Sequence, residues 1–115
     1  MSPCITARPP KPPKKRCGDG GPLDADEATG DAHFAINLKA PFFLSRAFAE
    51  SLPPQTPGHI INIVDWRILR PRAEKLVYTL TKSALATLTL GLAHAFAPSI
   101  QVNAIAPGAI LAPPG

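Results

Sequence analysis

Cysteine is scarce in this chain: Cys4 and Cys17 are the only two, and both lie in its first seventeen residues. No histidine stands at a metal-ligand spacing from them, so neither a zinc site nor a disulfide scaffold is expected, and a reduced cytosolic setting fits. No stretch of about 18 residues is free of polar groups, and the start lacks the charged and apolar regions of a secretion signal. The chain therefore reads as cytoplasmic, with no membrane partner. Glycine is also thin where it matters. Cys17-Gly-Asp-Gly-Gly21 is preceded by Lys-Pro-Pro-Lys-Lys-Arg, not by a β-branched strand. A phosphate-cradling turn needs that strand before it. At 115 residues there is room for one small domain at most.

Proline is abundant instead, with 15 residues, 13 of them grouped at 1–22, 53–57 and 98–114. The net charge is +4, much of it from Lys11, Lys14, Lys15 and Arg16. No aromatic residue is interleaved with that run, as a nucleic-acid platform would need. A solvated, disordered arm is expected over residues 1–30, with nucleic acid an unlikely partner. Its acidic end, 23–31, can lead into a helix N-terminus.

The middle of the chain is patterned. Residues 32–51 have a helical apolar face that includes Phe34, Leu38, Phe42 and Phe48. Pro41 lies inside it and cannot donate to the carbonyl of Asn37, so a kink with that carbonyl free is predicted. After a loop at 52–58, the β-branched run His59–Val64 predicts a buried parallel strand. Asp65–Lys75 reads as a loop. Residues 76–97 form a long helix, apolar at 80, 84, 85, 88, 92 and 96, and Ile100–Ala106 a second strand ended by Pro107-Gly108. Strand, helix and strand at this spacing imply one right-handed parallel crossover with both strands buried.

Tyr78 and Lys82 are four residues apart and so share a helix face. A nearby ammonium lowers a phenol's pKa from its reference of about 10 and suits it to proton transfer. The pair follows a strand, opens a long helix and precedes Val102-Asn-Ala-Ile-Ala-Pro-Gly108. This order, over about residues 31–112, resembles the short-chain dehydrogenase/reductase family. The resemblance implies a partial doubly wound, Rossmann-like parallel α/β sheet, of which only the C-terminal, catalytic half is recognisable, at 31–115. Residues 1–30 do not resemble the family, and a truncated or altered reading of a longer gene is expected.

The resemblance also implies roles. Tyr78 is the general acid or base. Lys82 tunes it and holds the nicotinamide ribose of NADP(H) or NAD(H). Asn37 matches the family's asparagine, whose main-chain carbonyl holds a water beside the lysine. Pro107 and Gly108 lie beside the nicotinamide. Asp65 stands where most members have serine, thirteen residues ahead of Tyr78. That exchange resembles the pteridine reductase branch and its dihydromonapterin and dihydrofolate reductase relatives, and so implies a pterin-like substrate. Partial burial is expected to raise the Asp65 pKa and let it share in proton delivery. Trp66, Arg67, Arg70 and Arg72 are candidates for the border of the substrate cleft. The family's two long helices, here 32–51 and 76–97, pack across subunit interfaces, which implies a homo-oligomer through exposed Leu85, Leu88, Leu92 and Phe96. A non-catalytic interaction module is the competing expectation. A third is a nucleic-acid-contacting tail on a small α/β unit. With no phosphate turn, the chain alone is expected to be weak or inert as a catalyst.

Overall fold

The computed structural model describes residues 21–108. The basic run, both cysteines, most of the expected arm and the last seven residues lie outside the described residues. Five regular elements run in the order α1 (Glu27–Phe34), α2 (Ala40–Ser51), β1 (Gly58–Ile63), α3 (Leu76–Phe96) and β2 (Ile100–Ile105). A π turn at Ala35–Lys39 joins α1 to α2, and a 3-10 turn at Trp66–Leu69 follows β1. The partial doubly wound α/β reading holds: β1 and β2 pair in parallel, joined through α3, with Gly58 opposite Ile100 and Ile63 opposite Ile105. The ladder runs on through the Val64 N–H, which donates to the Ile105 carbonyl at 2.8 Å.

The first helix begins at Glu27, inside the acidic lead-in and five residues before the expected start at 32. Its N-cap is Asp26, whose carboxylate accepts from the Thr29 N–H at 2.7 Å. A side-chain oxygen that satisfies one of the first free amides is what defines a helix start, and Glu27 adds charge that favours this end. The interruption expected at Pro41 takes the form of the π turn. The Ala40 N–H reaches back five residues to the Ala35 carbonyl, and one extra residue is taken up just before a proline that cannot donate.

The core lies between α3 and one face of the sheet. Leu92, Ile100 and Val102 are buried together, with Ala49, Leu52, Ile60, Leu88, Ala93 and Phe96 packed around them. Leu85 is also buried. Asn62 and Thr89 are buried polar groups that satisfy each other, as the Asn62 amide donates to Thr89 Oγ1 at 3.0 Å. Gly58 allows β1 to start against α2. A Cβ there would come within 2.8 Å of Leu52 Cδ1 and 3.1 Å of Phe48 Cε1.

Two expectations are corrected here. The strands are not buried on both faces: Ile61, Ile63 and Ile105 are 56%, 51% and 53% exposed. Alternate strand residues face opposite ways, and among the described residues all three helices leave the Ile61–Ile63–Ile105 face open. Nor are Leu85, Leu88, Leu92 and Phe96 an exposed surface. They are the face of α3 that meets the sheet. The large exposed apolar residues of that helix are Leu80 and Leu90, with Phe34, Ile36, Phe42, Phe43, Leu44 and Phe48 on the α1–α2 segment. At 21 residues α3 is long and apolar enough to cross a membrane. Its contacts in this fold are those of a core helix, and it carries Thr79, Thr81 and Thr89 buried in the protein.

Candidate active site

The site forms where β1 ends and α3 begins. Asp65 follows the last β1 pairings and serves two partners with its two oxygens. Its Oδ1 accepts from the Arg67 N–H at 2.9 Å and so caps the 3-10 turn. Its Oδ2 accepts from the Tyr78 hydroxyl at 3.0 Å and from Arg67 Nη1 at 3.2 Å. The chain then turns through Lys75, in the left-handed conformation at φ 58°, and enters α3. Tyr78 falls in its first turn, which aims the phenol back toward the strand end.

Lys82, one turn later, lies on the same side, as four-residue spacing requires. Its ammonium donates to the Ile63 carbonyl at 2.8 Å and stands 5.8 Å from the Tyr78 ring centre. It therefore ties α3 to the end of β1 and touches the phenol through the ring face, not through the oxygen. Asn37 approaches from the π turn of the other helix. Its side-chain amide donates to Thr81 Oγ1 at 3.1 Å, and the Thr81 hydroxyl donates to the Tyr78 carbonyl at 2.6 Å. The link from Asn37 to the tyrosine thus runs through Thr81, which is fully buried.

The electrostatics reverse two expectations. The Tyr78 pKa is raised, not lowered: burial opposes the phenolate, and the hydrogen bond to the Asp65 charge opposes it further. The Lys82 ammonium does not reach the phenol oxygen, and burial lowers its own pKa against the pull of Asp65. The Asp65 pKa is lowered, not raised. Burial works against its charge, but hydrogen bonds from the Arg67 backbone, Tyr78 and the Arg67 side chain together outweigh it. At neutral pH the phenol holds the proton and the carboxylate holds the charge. Two neighbouring acids with opposed proton affinities have distinct roles.

Pro107 and Gly108 lie alongside, tied to the site through the loop: the Trp66 N–H donates to the Pro107 carbonyl at 3.4 Å. Trp66 also lies against Gly108, where an added Cβ would come within 3.9 Å of its ring. The structure therefore brings Asp65, Tyr78, Lys82 and the Pro107-Gly108 turn to one end of the sheet, with Asn37 joined through Thr81. Trp66, Arg67, Arg70 and Arg72 line a cavity of about 260 Å³ beside that cluster.

Two residues of the site were not anticipated. Thr81 was visible only as one of the two threonines between Tyr78 and Lys82. His33 packs edge-on to Tyr78, with ring centres 6.1 Å apart at 72°, and its Nε2 is buried with no hydrogen-bond partner. Its signal was the four-residue step to Asn37, which puts both on the α3-facing side.

What these residues offer a dinucleotide is one end only. A phenol, a lysine and a backbone turn suit the nicotinamide and its ribose. The described glycines do not form a pyrophosphate cradle: Gly30 and Gly91 lie within helices, and Gly58 is packed against Phe48 and Leu52. Among the described residues no group of three His, Cys, Asp or Glu side chains is placed to hold a metal ion.

Comparison with known proteins agrees with this geometry. The family described as short chain dehydrogenase matches residues 18–114. A short-chain dehydrogenase/reductase homolog, YusR of Bacillus subtilis, is 36% identical over 73 residues, covering 64% of this chain and 57% of that protein. The dihydromonapterin reductase of an Enterobacter species is 36% identical over 78 residues, covering 66% of this chain and 32% of that protein. Among solved structures, FolM alternative dihydrofolate reductase 1 from Brucella suis, in complex with NADP, is 45% identical with a TM-score of 0.70, covering 73% of this chain and 34% of that one. The chain thus spans between about a third and just over half of the length of these relatives.

Proposed function

The chain belongs to the short chain dehydrogenase family, and from that premise we propose that it is the proton-handling part of a cytosolic NAD(P)H-dependent reductase acting on a pterin- or dihydrofolate-type C=N bond. The observation that carries this reading is the 3.0 Å hydrogen bond from the Tyr78 hydroxyl to Asp65. Reduction of such a bond requires a hydride on carbon and a proton on nitrogen. Tyr78, Lys82 and the Pro107-Gly108 turn would hold the nicotinamide, which when bound would supply the hydride. Tyr78 presents the proton from a phenol that burial and Asp65 keep neutral. Asp65 stays ionised and accepts that proton in a hydrogen bond, which must open for the substrate nitrogen to take its place as acceptor. Lys82 braces the strand end, and Asn37 with Thr81 holds the first turn of α3 in place. The carboxylate where most members have serine, and the likeness to proteins named dihydromonapterin and dihydrofolate reductase, support the pterin substrate.

Positioning by remote contacts supplies much of an enzyme's rate, and a misplacement of about 1 Å costs ~10²-fold. The described residues offer only the nicotinamide end, so slow turnover and weak NADPH binding are expected of them alone. The test is NADPH oxidation by the full chain at millimolar NADPH, with and without a dihydropterin. Slow, dihydropterin-dependent turnover that falls about 10²–10⁴-fold in Tyr78→Phe supports the reading. Equal turnover with a simple ketone, or a rate indifferent to Tyr78→Phe, contradicts it. Saturable NADPH binding at micromolar concentration contradicts the weakness.

A second reading, a homo-oligomeric interaction module, is favoured by one observation: the open sheet face of Ile61, Ile63 and Ile105. Contiguous apolar surface of this kind marks association. Sedimentation of the full chain as a monomer at micromolar concentration would contradict it.

A further inference from the structure

Tyr78 is gripped at more than its oxygen. Its hydroxyl donates to Asp65 at 3.0 Å, and the Lys82 ammonium stands 5.8 Å from its ring centre. A third contact comes from another element. His33, in the last turn of α1, meets the phenol ring edge-on, with ring centres 6.1 Å apart at 72°. We propose that His33 is a positioning residue for Tyr78: its imidazole fixes the plane of the phenol and keeps water off it, so that the hydroxyl stays aimed when its bond to Asp65 opens. The proposal rests on the reductase reading of Tyr78 and adds to it the group that aims the proton donor.

The need for such a residue follows from the reaction. Once the hydroxyl turns from Asp65 to an acceptor on the substrate, only contacts to the ring hold the phenol. Lys82 is a poor clamp for this purpose, because an ammonium is a point charge on a flexible stem and this one is committed to the Ile63 carbonyl. A flat imidazole set at a steep angle restricts the ring plane, as edge-to-face packing does between aromatic side chains. His33 is itself well placed to hold still. It lies four residues before Asn37, on the same side of the segment. The Asn37 amide donates to Thr81, and the Thr81 hydroxyl donates to the Tyr78 carbonyl. The segment therefore takes Tyr78 at two points, the backbone through Thr81 and the ring through His33. The imidazole is packed inward, because its Nε2 is buried and has no hydrogen-bond partner. Through that nitrogen it offers contact and cover, not a bond. Cover matters here, because burial is the first cause that keeps the proton on Tyr78. The charged groups that act on the phenol come from other elements: Asp65 and Arg67 from the loop after β1, and Lys82 from α3. Among the described residues His33 is the aromatic side chain that packs against it.

The test uses the full chain and has two arms. The first needs no cofactor. Tyr78 is the only tyrosine, so its ultraviolet absorbance through an alkaline titration reads its ionisation, while circular dichroism follows the fold. In His33→Ala water reaches the ring, and the midpoint should move down toward the ordinary value of 10.0. His33→Phe refills the space with a flat ring and should restore the wild-type midpoint. Phe34→Ala trims a neighbouring side chain of α1 that is 43% exposed, and should leave the midpoint in place. That variant separates loss of the contact from a general loosening of α1. His33→Gln, which has no ring, takes the place of His33→Ala if the alanine variant does not fold, with the same expectation. The second arm is dihydropterin-dependent NADPH oxidation. There kcat should fall about 10- to 100-fold in His33→Ala with KM for the dihydropterin unchanged, and recover in His33→Phe. A folded His33→Ala or His33→Gln with the wild-type midpoint would overturn the proposal. So would an equal fall in Phe34→Ala, or no recovery in His33→Phe. A midpoint that moves as expected while no variant, nor wild type, turns over would support the hold on Tyr78 and refute the reductase reading alone.

Discussion

The two halves of α3 are built on different principles. Its second half, from Leu85 to Phe96, presents Leu85, Leu88, Leu92 and Phe96 to the sheet and is held by burial. Its first half presents Tyr78, Thr79, Thr81 and Lys82 and is held by hydrogen bonds to Asp65, Asn37 and the Ile63 carbonyl. Burial is tolerant of detail, whereas each hydrogen bond specifies an atom. The second half therefore sets whether the chain folds, and the first sets where a proton resides. Substitutions at the two ends should fall into separate classes.

The largest effect is expected in the buried half. Leu92→Ala removes a side chain from a cluster that has few buried members, and should cost about 2–5 kcal/mol. Because small domains are stable by only about 5–15 kcal/mol, that is a large share of the total, and urea unfolding followed by circular dichroism should show a much lower midpoint. A native-like transition midpoint in this variant would break the division.

Asn62→Ala is next. It removes the amide that donates to the buried Thr89 hydroxyl, which keeps its own donation to the Leu85 carbonyl at 2.8 Å, and should cost about 1 kcal/mol in the same measurement. Thr79→Val should act in the opposite direction and less strongly. It removes a hydroxyl that has no hydrogen-bond partner, so stability should rise by up to about 1 kcal/mol. A stability loss above that size would mean that the Thr79 hydroxyl has a structural role.

Acid and alkali sharpen the comparison further. The Asp65 pKa is lowered by folding, so its contribution is present above the unfolded value of about 3.9 and is lost as pH falls through the folded one. The Tyr78 pKa is raised. Its contribution is present below the unfolded value of about 10 and is lost as pH rises through the folded one. Between those limits the pH dependence of unfolding should be the same in wild type and in Tyr78→Phe.

Much of the architecture was legible in the sequence because β-branched runs and a long apolar helix have few alternative placements. The parallel pair of strands, the helix between them and the shared face of Tyr78 and Lys82 followed from order and spacing, and the place of Asp65 beside them was implied by the family resemblance. The missed features depend on atoms that spacing does not specify. A four-residue step shows that Tyr78 and Lys82 share a face, but not that the ammonium bonds the Ile63 carbonyl. Without that detail the direction of the Tyr78 shift was read wrongly. Asp65 was read as a carboxyl raised by burial because its second role, capping the turn through Arg67, adds hydrogen bonds that favour its charge. The open sheet face was missed because a β-branched run does not show whether elements are present to cover both sides.

The central claim is that Asp65 keeps the proton on Tyr78. Tyr78 is the only tyrosine in the chain, so absorbance near 295 nm through an alkaline titration reads its ionisation alone. The account predicts a wild-type midpoint above the ordinary value of 10.0, and a lower midpoint in Asp65→Asn, with circular dichroism showing both chains folded through the transition. A wild-type midpoint at or below that value, or the same midpoint in both proteins, would contradict it.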